Sequence, residues 1–413
     1  MLSVSDALSR LLSNFSSVGM ESVSLKEAAG RVLSEEIHST IDLPLFTNSS
    51  MDGFALRAED VEEANPANPI TLTIVEDIPA GKGPEIEISK YQAARIMTGA
   101  PIPDGADAVI PIEDTDQYDP ISRVDPALPK KINVHRSVKT GDYVRRRGED
   151  VAIDEVVLKS QSRLRPQDLG LLAMLGIPEI PVYRLPRIVI LSTGDELVPV
   201  EEQLQFGKIH DSNAYTLSAL IFRDGGLPVY LGIVPDQEQA VRDFLVKALE
   251  NNADLILSSA GVSVGAFDFV RSVVQSDGNL DFWKVNMRPG KPLAFGDYQG
   301  VPFIGLPGNP VSAFVGYEVF VRPAIMRLAG LRDALRDRTK VKLTEDIISD
   351  GRESYLRAIV TIENGEAVAR LTGHQGSGNL LSLVQANSLL ILPAGSKSLS
   401  TGSYVDAWLL DDA

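Results

Sequence analysis

The chain has 413 residues and a formal net charge of −17 at pH 7, because 56 Asp and Glu outnumber 39 Lys and Arg. This acidic balance argues against a protein that binds the nucleic-acid backbone, since such binding rests on Lys and Arg. The chain contains no Cys, which excludes disulfides, thiolate zinc sites, iron–sulfur clusters and a Cys nucleophile. With 44% hydrophobic residues, the composition predicts a globular protein of about three domains.

The N-terminal residues predict an amphipathic helix. Val4, Leu8 and Leu11 lie at helical spacing and are interrupted by charged residues, unlike the core of a signal peptide. The long uncharged stretch 371–396 contains polar residues throughout, whereas a bilayer span needs about 20 mostly apolar residues. We therefore expect a soluble, cytoplasmic protein that makes no membrane contact.

Residues 30–185 are rich in Pro and Gly, and they predict a β-rich module. Short strand-like runs at 70–75, 108–112 and 155–158 are separated by turn residues, without intervening helices. A helix is predicted after Pro166, ending at Gly176.

From Arg187 onward the pattern changes to strands that alternate with helices. The continuous apolar run 187–192 is typical of a strand buried on both faces. Such alternation predicts a three-layer α/β domain with a mostly parallel sheet. The predicted elements are strands at 187–192, 228–234, 254–259 and 281–287, and helices at 213–224, 237–251, 268–275 and 311–328.

The last part of the chain returns to β-type patterns. Apolar runs at 340–343, 358–362, 367–371 and 389–392 predict strands. Asn364-Gly365 between two of them predicts a type I′ hairpin turn, in which both residues need positive φ. We expect a small C-terminal β-barrel-like domain.

Ligands of open α/β sheets bind beyond the carboxyl ends of the strands, so the loops that begin there form the candidate site. Gly- and Ser-rich loops at helix N-termini present N–H groups to anions, and Arg288 and Lys291 add positive charge. Glu196, Asp236 and Asp268 are carboxylates of the kind that bind Mg²⁺ beside phosphates; alternatively, Asp268 is only a helix N-cap. The residues therefore predict a phosphate-bearing ligand held with Mg²⁺. The loops concerned are 192–197, 235–236, 258–265, 288–292 and 305–312.

The N-terminal half contains a second group of polar loops, 43–55 and 95–103, followed by a basic strip. This strip, residues 130–147, has seven Lys and Arg against one Asp, and it either faces an anionic ligand or is a solvated strand face. The four His residues have no metal-binding spacing, and the chain has no P-loop, nucleophile elbow or dinucleotide fingerprint. The residues by themselves do not define the reaction further.

Seven segments together resemble the molybdopterin molybdenumtransferase family, which comprises bacterial MoeA and the E domain of gephyrin with its plant relatives. They follow the family order and cover nearly the whole chain, so the match is far more specific than a single glycine-rich loop. The segments are Asn48-Ser-Ser-Met-Asp-Gly-Phe-Ala55, Ile96-Met-Thr-Gly-Ala-Pro101, Arg146-Arg-Gly-Glu-Asp150, Ser192-Thr-Gly-Asp-Glu-Leu197, Ala260-Gly-Val-Ser-Val-Gly265, Arg288-Pro-Gly-Lys-Pro292 and Leu306-Pro-Gly-Asn-Pro-Val-Ser312.

The resemblance implies the last step of molybdenum cofactor synthesis, in which adenylyl-molybdopterin and molybdate give molybdenum cofactor and AMP with a divalent cation, Mg²⁺. It implies a homodimer in which the α/β domain of one subunit faces the module of the other that carries Asp52. Molybdopterin adenylyltransferase and molybdoenzyme acceptors or chaperones are the expected partners. The implied domains are an N-terminal helix (1–24) on the α/β domain, a discontinuous linker domain (25–43 and 136–180), an inserted β-rich module (44–135), the α/β domain (181–330) and the C-terminal β domain (331–413).

The resemblance also implies individual roles. Asp52, Thr98, Glu196, Asp236 and Asp268 are the expected catalytic residues. The last three are also the expected metal ligands, while Asp52 and Thr98 would close the site from the partner subunit. The expected substrate-binding residues are Asp150, Ser192, Thr193, Gly194, Gly261, Ser263, Gly265, Arg288, Lys291, Pro307, Gly308, Asn309, Pro310 and Ser377, among which Arg288 and Lys291 would bind molybdate or phosphate oxygens.

Three positions depart from the family pattern: Ala260 where Gly is common, Arg288 where Lys is common, and Phe54 where Tyr is common. None of them removes a carboxylate, so we expect activity. Two other functions compete with this interpretation. The same α/β fold catalyses adenylylation of molybdopterin, although that activity needs neither flanking domain, and gephyrin-like E domains also act as non-enzymatic scaffolds.

Overall fold

The structure is a computed structural model that describes residues 1–118, 127–260, 269–332 and 335–410. The chain forms two compact units. The first contains Met1–Glu35, Ser160–Ala173 and Ile177–Ala413, and the second contains Glu36–Lys159 and Met174–Gly176.

The chain begins with α1 (Val4–Leu12), which is capped by the Ser3 hydroxyl accepting a hydrogen bond from the Asp6 amide at 3.0 Å. Its buried side chains, including Ala7 and Leu11, join the core of the α/β domain. The strand β1 (Met20–Ser24) follows.

The second unit is β-rich, as predicted. Its main sheet has the order β7-β4-β6-β5-β8 and encloses a core that includes Phe54, Leu72 and Ile110. Two short pairs, β3 with β9 and β2 with β10, complete the unit. The strands are β2 (Ile37–His38), β3 (Asn48–Ser49), β4 (Gly53–Leu56), β5 (Ile70–Ile78), β6 (Gln92–Ile96), β7 (Ala108–Pro111), β8 (Lys131–Val134), β9 (Val144–Arg145) and β10 (Val156–Leu158).

The chain then passes through α2 (Pro166–Met174) and β11 (Glu179–Tyr183), which pairs antiparallel with β1. The α/β domain follows. Its elements are β12 (Arg187–Thr193), β13 (Leu197–Val198), β14 (Ile209–His210), α3 (Ser212–Arg223), β15 (Leu227–Val234), α4 (Glu238–Glu250), β16 (Leu255–Ser259), α5 (Phe269–Asp277), β17 (Asn279–Lys284), β18 (Met287–Arg288), β19 (Pro292–Tyr298), β20 (Val301–Leu306), α6 (Pro310–Gly316), a π-helical turn (Tyr317–Val321) and α7 (Arg322–Leu328).

The central sheet has the order β15-β12-β16-β20-β19-β17. β19 runs opposite to the other five strands of this sheet, so the predicted mostly parallel sheet is confirmed. Alternate residues of β12 enter different cores: Ile190 packs with α1, α3 and α6, whereas Leu191 packs with α4 and α5. Helices therefore cover both faces, as predicted. The strands β19 and β20 were not predicted, because Gly296, Gly300 and Pro302 interrupt their apolar pattern.

The C-terminal domain is a closed barrel of five strands in the order β23-β24-β21-β27-β25, with β25 pairing back to β23. Asn364 and Gly365 both have positive φ, +51° and +80°, which confirms the predicted turn. The elements are β21 (Thr339–Leu343), β22 (Ile347–Ile348), β23 (Glu353–Glu363), β24 (Glu366–Leu371), α8 (Leu380–Val384), β25 (Ser388–Leu392), β26 (Ser398–Leu399) and β27 (Tyr404–Leu409). Across the described residues, every helix is too short or too polar to span a membrane.

Candidate active site

Five strands of the central sheet, β12, β15, β16, β17 and β20, run in the same direction. Their carboxyl ends therefore lie at one edge of the sheet, which we call the strand-exit edge, and the predicted loops begin there. A polar cavity of about 580 Å³ between α1 and the β19–β20 turn lies at the other end of the strands. It is lined by none of the predicted site residues.

Buried hydroxyl groups occupy the ends of β12 and β16. Ser192 and Ser259 are neighbours across the two strands, and both are almost fully buried, as is Thr193. The Ser192 hydroxyl lies near the phenol of Tyr230 on β15, which donates to Asp211 Oδ2 at 3.0 Å. The strand ends thus place several buried hydroxyls close to the predicted loops.

The loop after β12 brings the Glu196 carboxylate against Gly194. Gly194 has φ +147°, and a Cβ at this position would lie 2.6 Å from Glu196 Oε2. Only glycine therefore fits beside the carboxylate in this conformation.

Asp236, which follows β15, lies beside the same loop. Its backbone amide donates to Asp195 Oδ1 at 3.2 Å. Burial raises the pKa of Asp236, and the charges of Asp195 and Glu196 raise it further. The structure thus brings together the predicted Glu196 and Asp236 and adds Asp195 of the same loop.

The third predicted metal ligand, Asp268, lies outside the described residues, as do the predicted binding residues Gly261, Ser263 and Gly265. Within the described ranges, no three His, Asp or Glu side chains are arranged to hold a metal ion. Asp195, Glu196 and Asp236 form an acidic group at the strand-exit edge in which the first two act on the charge of the third, but these three alone do not form a metal site.

The loop after β20 leads directly into α6. It contains the predicted Pro307, Gly308, Asn309 and Pro310, the last of which opens the helix. The amide of Val311 in the first turn donates to the carbonyl of Ser377 at 3.1 Å. The predicted Ser377 therefore contacts the start of α6 through its backbone, although it belongs to the C-terminal domain.

The loop that carries Ser377 is held by Arg357, a buried residue on β23 that the sequence analysis missed. Its guanidinium donates to the carbonyls of His374 (3.3 Å), Gln375 (3.3 Å) and Gly376 (3.0 Å). Burial lowers the pKa of Arg357, and the nearby charge of the predicted Arg288 lowers it further. The sequence signal that could have identified Arg357 is its position as the one charged residue within the apolar run 355–360.

Arg288 is itself half-exposed, and its Nη1 lies 3.9 Å from Asp350 Oδ2. The predicted Lys291 follows in the same loop, and its carbonyl accepts the Val285 amide at 3.1 Å. Two arginines, Arg288 and Arg357, thus add positive charge where the C-terminal domain adjoins the strand-exit edge.

Asn213 is a second residue that the sequence analysis missed. It lies at the start of α3, just after the helix cap Asp211, whose carboxylate accepts from the Ala214 amide at 3.1 Å. The Asn213 Nδ2 lies 2.7 Å from Ser259 Oγ and 2.8 Å from the Gly308 carbonyl oxygen. One amide group thus joins the ends of β16 and β20. The run Asp211-Ser-Asn213 before a helix was recognisable as a cap, but its distant contacts were not.

In the second unit, Asp52 and Thr98 are in direct contact. Asp52 Oδ1 accepts from the Thr98 amide at 2.7 Å and from its hydroxyl at 2.9 Å. The predicted Asp150 instead forms an ion pair with Arg145 of the basic strip. Arg147 pairs with Asp42 in the same unit, so part of this strip is neutralised.

Three family models match the chain in succession. They are the MoeA N-terminal region (domain I and II) over residues 2–176, a probable molybdopterin binding domain over residues 189–327, and the MoeA C-terminal region (domain IV) over residues 340–410. Together they account for most of the chain.

Individual relatives are similar over nearly their full length. A molybdopterin molybdenumtransferase from Nostoc is 38% identical over 93% of this chain and 87% of its own length. One from Haemophilus influenzae is 36% identical over 98% of both. A crystal structure of the molybdopterin biosynthesis MoeA protein from Pyrococcus horikoshii has a TM-score of 0.83 and 34% identity over 99% of this chain and 100% of its own. The chain therefore belongs to the molybdopterin molybdenumtransferase family of molybdenum cofactor biosynthesis.

Proposed function

We propose that this chain uses the strand-exit edge to convert adenylyl-molybdopterin and molybdate into molybdenum cofactor and AMP with the help of Mg²⁺. The observation that carries the proposal is the acidic group of Asp195, Glu196 and Asp236 beside the buried hydroxyls of Ser192 and Ser259. Carboxylates next to hydroxyls and helix N-termini suit a ligand that combines phosphate groups with a divalent cation.

The acidic group supplies carboxylate oxygens, the ligand type that Mg²⁺ takes beside phosphates. The pKa of Asp236 is raised by burial and by its two acidic neighbours, and a bound cation would relieve this repulsion. Glu196 and Asp236, with Asp268 as the proposed third ligand, would hold the metal, which would supply charge neutralisation for the phosphates.

Cleavage of the phosphoanhydride in this setting depends on positioning and charge neutralisation more than on a protein nucleophile. We assign molybdate or phosphate oxygens to Arg288 and Lys291. The Arg357 side chain would support this role by holding the loop that contacts the start of α6.

We propose that a second copy of the chain completes the site with Asp52 and Thr98. Charge complementarity supports this arrangement, because the acidic group Asp195, Glu196 and Asp236 lies at the strand-exit edge, whereas the basic strip, which is neutralised only in part, lies close to Thr98. The Ser49 carbonyl accepts the Gly99 amide at 2.8 Å, and Ser49 pairs with Val144 at the edge of the strip. The homodimer would act in the cytoplasm, between the adenylyltransferase that supplies its substrate and the molybdoenzymes or chaperones that accept its product.

The test is to incubate the purified protein with adenylyl-molybdopterin, Mg²⁺ and molybdate and to measure AMP by chromatography. We expect AMP release that requires both molybdate and Mg²⁺ and that falls in Glu196→Ala and Asp268→Ala. Wild-type turnover in both variants would contradict the metal assignment. Release of AMP without molybdate would contradict the proposed reaction, and mixing Asp52→Ala with Glu196→Ala subunits should restore part of the activity if the site is shared.

A further inference from the structure

The contact of Asn213 with Ser259 and Gly308 determines which group donates each proton. The same atom, Asn213 Nδ2, lies 2.7 Å from Ser259 Oγ and 2.8 Å from the Gly308 oxygen. A backbone carbonyl can only accept, so this atom must be the amide nitrogen and not the amide oxygen. Its two protons are then directed one to Gly308 and one to Ser259.

This assignment makes Ser259 a hydrogen-bond acceptor toward Asn213. The hydroxyl proton of Ser259 must therefore point to another group. Within the described residues, no acceptor for that proton lies in hydrogen-bonding geometry, and Ser259 is 2% exposed. A buried donor without an acceptor is costly unless a ligand or water accepts its proton.

The position of Ser259 identifies the kind of acceptor. Ser259 is the last residue of β16 at the strand-exit edge, and its neighbour in β12 is Ser192. Glu196 follows the adjacent strand β12, and Asp236 follows β15, the next strand beyond it. A neutral ligand therefore gains little there, whereas a phosphate carrying a divalent cation satisfies both the hydroxyls and the acids.

We propose that the Ser259 hydroxyl donates a hydrogen bond to a phosphate oxygen of the substrate and that Asn213 is the positioning residue that orients it. This inference rests on the proposed function, and it gives individual roles to Ser259, which lies in the predicted loop 258–265, and to Asn213, which the sequence analysis missed. Asn213 also fixes the spacing between the β16 and β20 loops, because its second proton is held by Gly308. Loss of Asn213 would therefore leave the Ser259 hydroxyl free to rotate, and it would remove the hydrogen bond that holds the Gly308 carbonyl.

The experiment measures AMP binding in the presence of Mg²⁺ by isothermal titration calorimetry. We expect Ser259→Ala to weaken binding about tenfold, which corresponds to about 1.4 kcal/mol. Asn213→Ala should weaken it by a similar factor, and the double variant should be no weaker than Asn213→Ala alone, because both changes remove the same oriented donor. Ser259→Thr keeps the hydroxyl and should restore most of the affinity.

Asn387→Ala is the matched control. Asn387 is a half-buried amide of the C-terminal barrel whose Nδ2 donates to the Val360 carbonyl at 2.9 Å, so its loss should lower the melting temperature without changing AMP affinity. Wild-type affinity in Asn213→Ala and Ser259→Ala, or fully additive losses in the double variant, would overturn the proposal. Because binding is measured without turnover, a wild type that binds AMP but releases none with molybdate would refute the proposed reaction and leave this inference standing.

Discussion

Thr98 donates two hydrogen bonds to a single oxygen of Asp52, from its backbone amide at 2.7 Å and from its hydroxyl at 2.9 Å. These two hydrogen bonds fix the orientation of the exposed Asp52 carboxylate. Thr98→Val keeps the shape and the amide donor but removes the hydroxyl. We expect it to lower molybdate-dependent AMP release about fivefold, because the loss of one hydrogen bond at an exposed site costs ~1 kcal/mol.

Thr140→Val is the control for this change. The Thr140 hydroxyl donates to Asp107 Oδ2 at 2.8 Å in the same unit, but this pair contains none of the predicted site residues. The control should retain the wild-type rate. Equal losses of rate in the two variants would attribute the effect of Thr98→Val to general destabilisation of the unit.

Gly194 and Glu196 are coupled by a backbone conformation that only glycine adopts easily. In Gly194→Ala the new Cβ would lie 2.6 Å from Glu196 Oε2, so the carboxylate must move away from its place beside Asp195 and Asp236. We expect the Mg²⁺ concentration for half-maximal AMP release to rise at least tenfold. The measurement is a Mg²⁺ titration of the initial rate.

Gly207→Ala is the control, because it introduces backbone strain without displacing a neighbouring side chain. Gly207 also has positive φ, +82°, but a Cβ there meets nothing within 4 Å. Both variants should lose stability, since a left-handed backbone costs a non-glycine residue about 1 kcal/mol. An unchanged Mg²⁺ dependence in Gly194→Ala would show that Glu196 does not take part in metal binding.

The elements that the sequence predicted best are those whose apolar pattern is local. The apolar residues of β12 and β16 are buried on both faces of the sheet, so these strands could be predicted without information about distant residues. The predicted continuous helix 311–328 contains instead a π-helical turn, Tyr317–Val321, in which Glu318 is buried against Arg223 at 2.8 Å. Helical periodicity cannot reveal such an insertion, because the partner of Glu318 lies 95 residues away in the sequence.

The same limit explains the site residues that were missed. Asn213 reaches Ser259 and Gly308, which are 46 and 95 residues distant, so only the folded sheet brings the three together. Arg357 was hidden for a further reason, because three of its partners are backbone carbonyls, which carry no side-chain signature, and the fourth is the hydroxyl of Ser382, 25 residues away. Charged and glycine-rich loops were predictable, whereas the amides and arginines that hold them were not.

The raised pKa of Asp236 predicts how stability depends on pH. The folded protein keeps the Asp236 proton to a higher pH than the unfolded chain, whose carboxyl titrates near 3.8. As pH rises from about that value through the raised pKa, ionisation therefore favours the unfolded state. Asp236→Asn should raise the free energy of unfolding at pH 7, and this gain should vanish near pH 3.8. The measurement is urea denaturation at several pH values with a chelator present.

Asp350 provides the opposite case within the same chain. Its hydrogen bond with Arg352 lowers the pKa of Asp350 to about 2, so its ionised form stabilises the fold above its ordinary pKa of 3.8. This stabilisation is lost as the pH falls toward the lowered value. Asp350→Asn should thus reduce the free energy of unfolding at pH 7.

For Asp236, a lower free energy of unfolding in Asp236→Asn at pH 7 would contradict the repulsion of Asp236 by Asp195 and Glu196.

Ala260 and Gly308 face each other where β16 and β20 end. Ala260 has φ +85°, and a Cβ added to Gly308 would lie 3.2 Å from the Ala260 methyl group. Ala260→Gly should raise the free energy of unfolding by about 0.5–1 kcal/mol, because relief of left-handed strain exceeds the added entropy of the unfolded chain.

The pair also makes a prediction that concerns both residues together. Gly308→Ala should destabilise the wild-type protein, because the new methyl group is forced against Ala260. In the Ala260→Gly background that contact is absent, so the same change should cost about 1 kcal/mol less. Urea denaturation of the four proteins gives this coupling directly. Strictly additive free energies would mean that the loops move apart to accept the second methyl group, and the close approach of β16 and β20 would then not be fixed by these two residues.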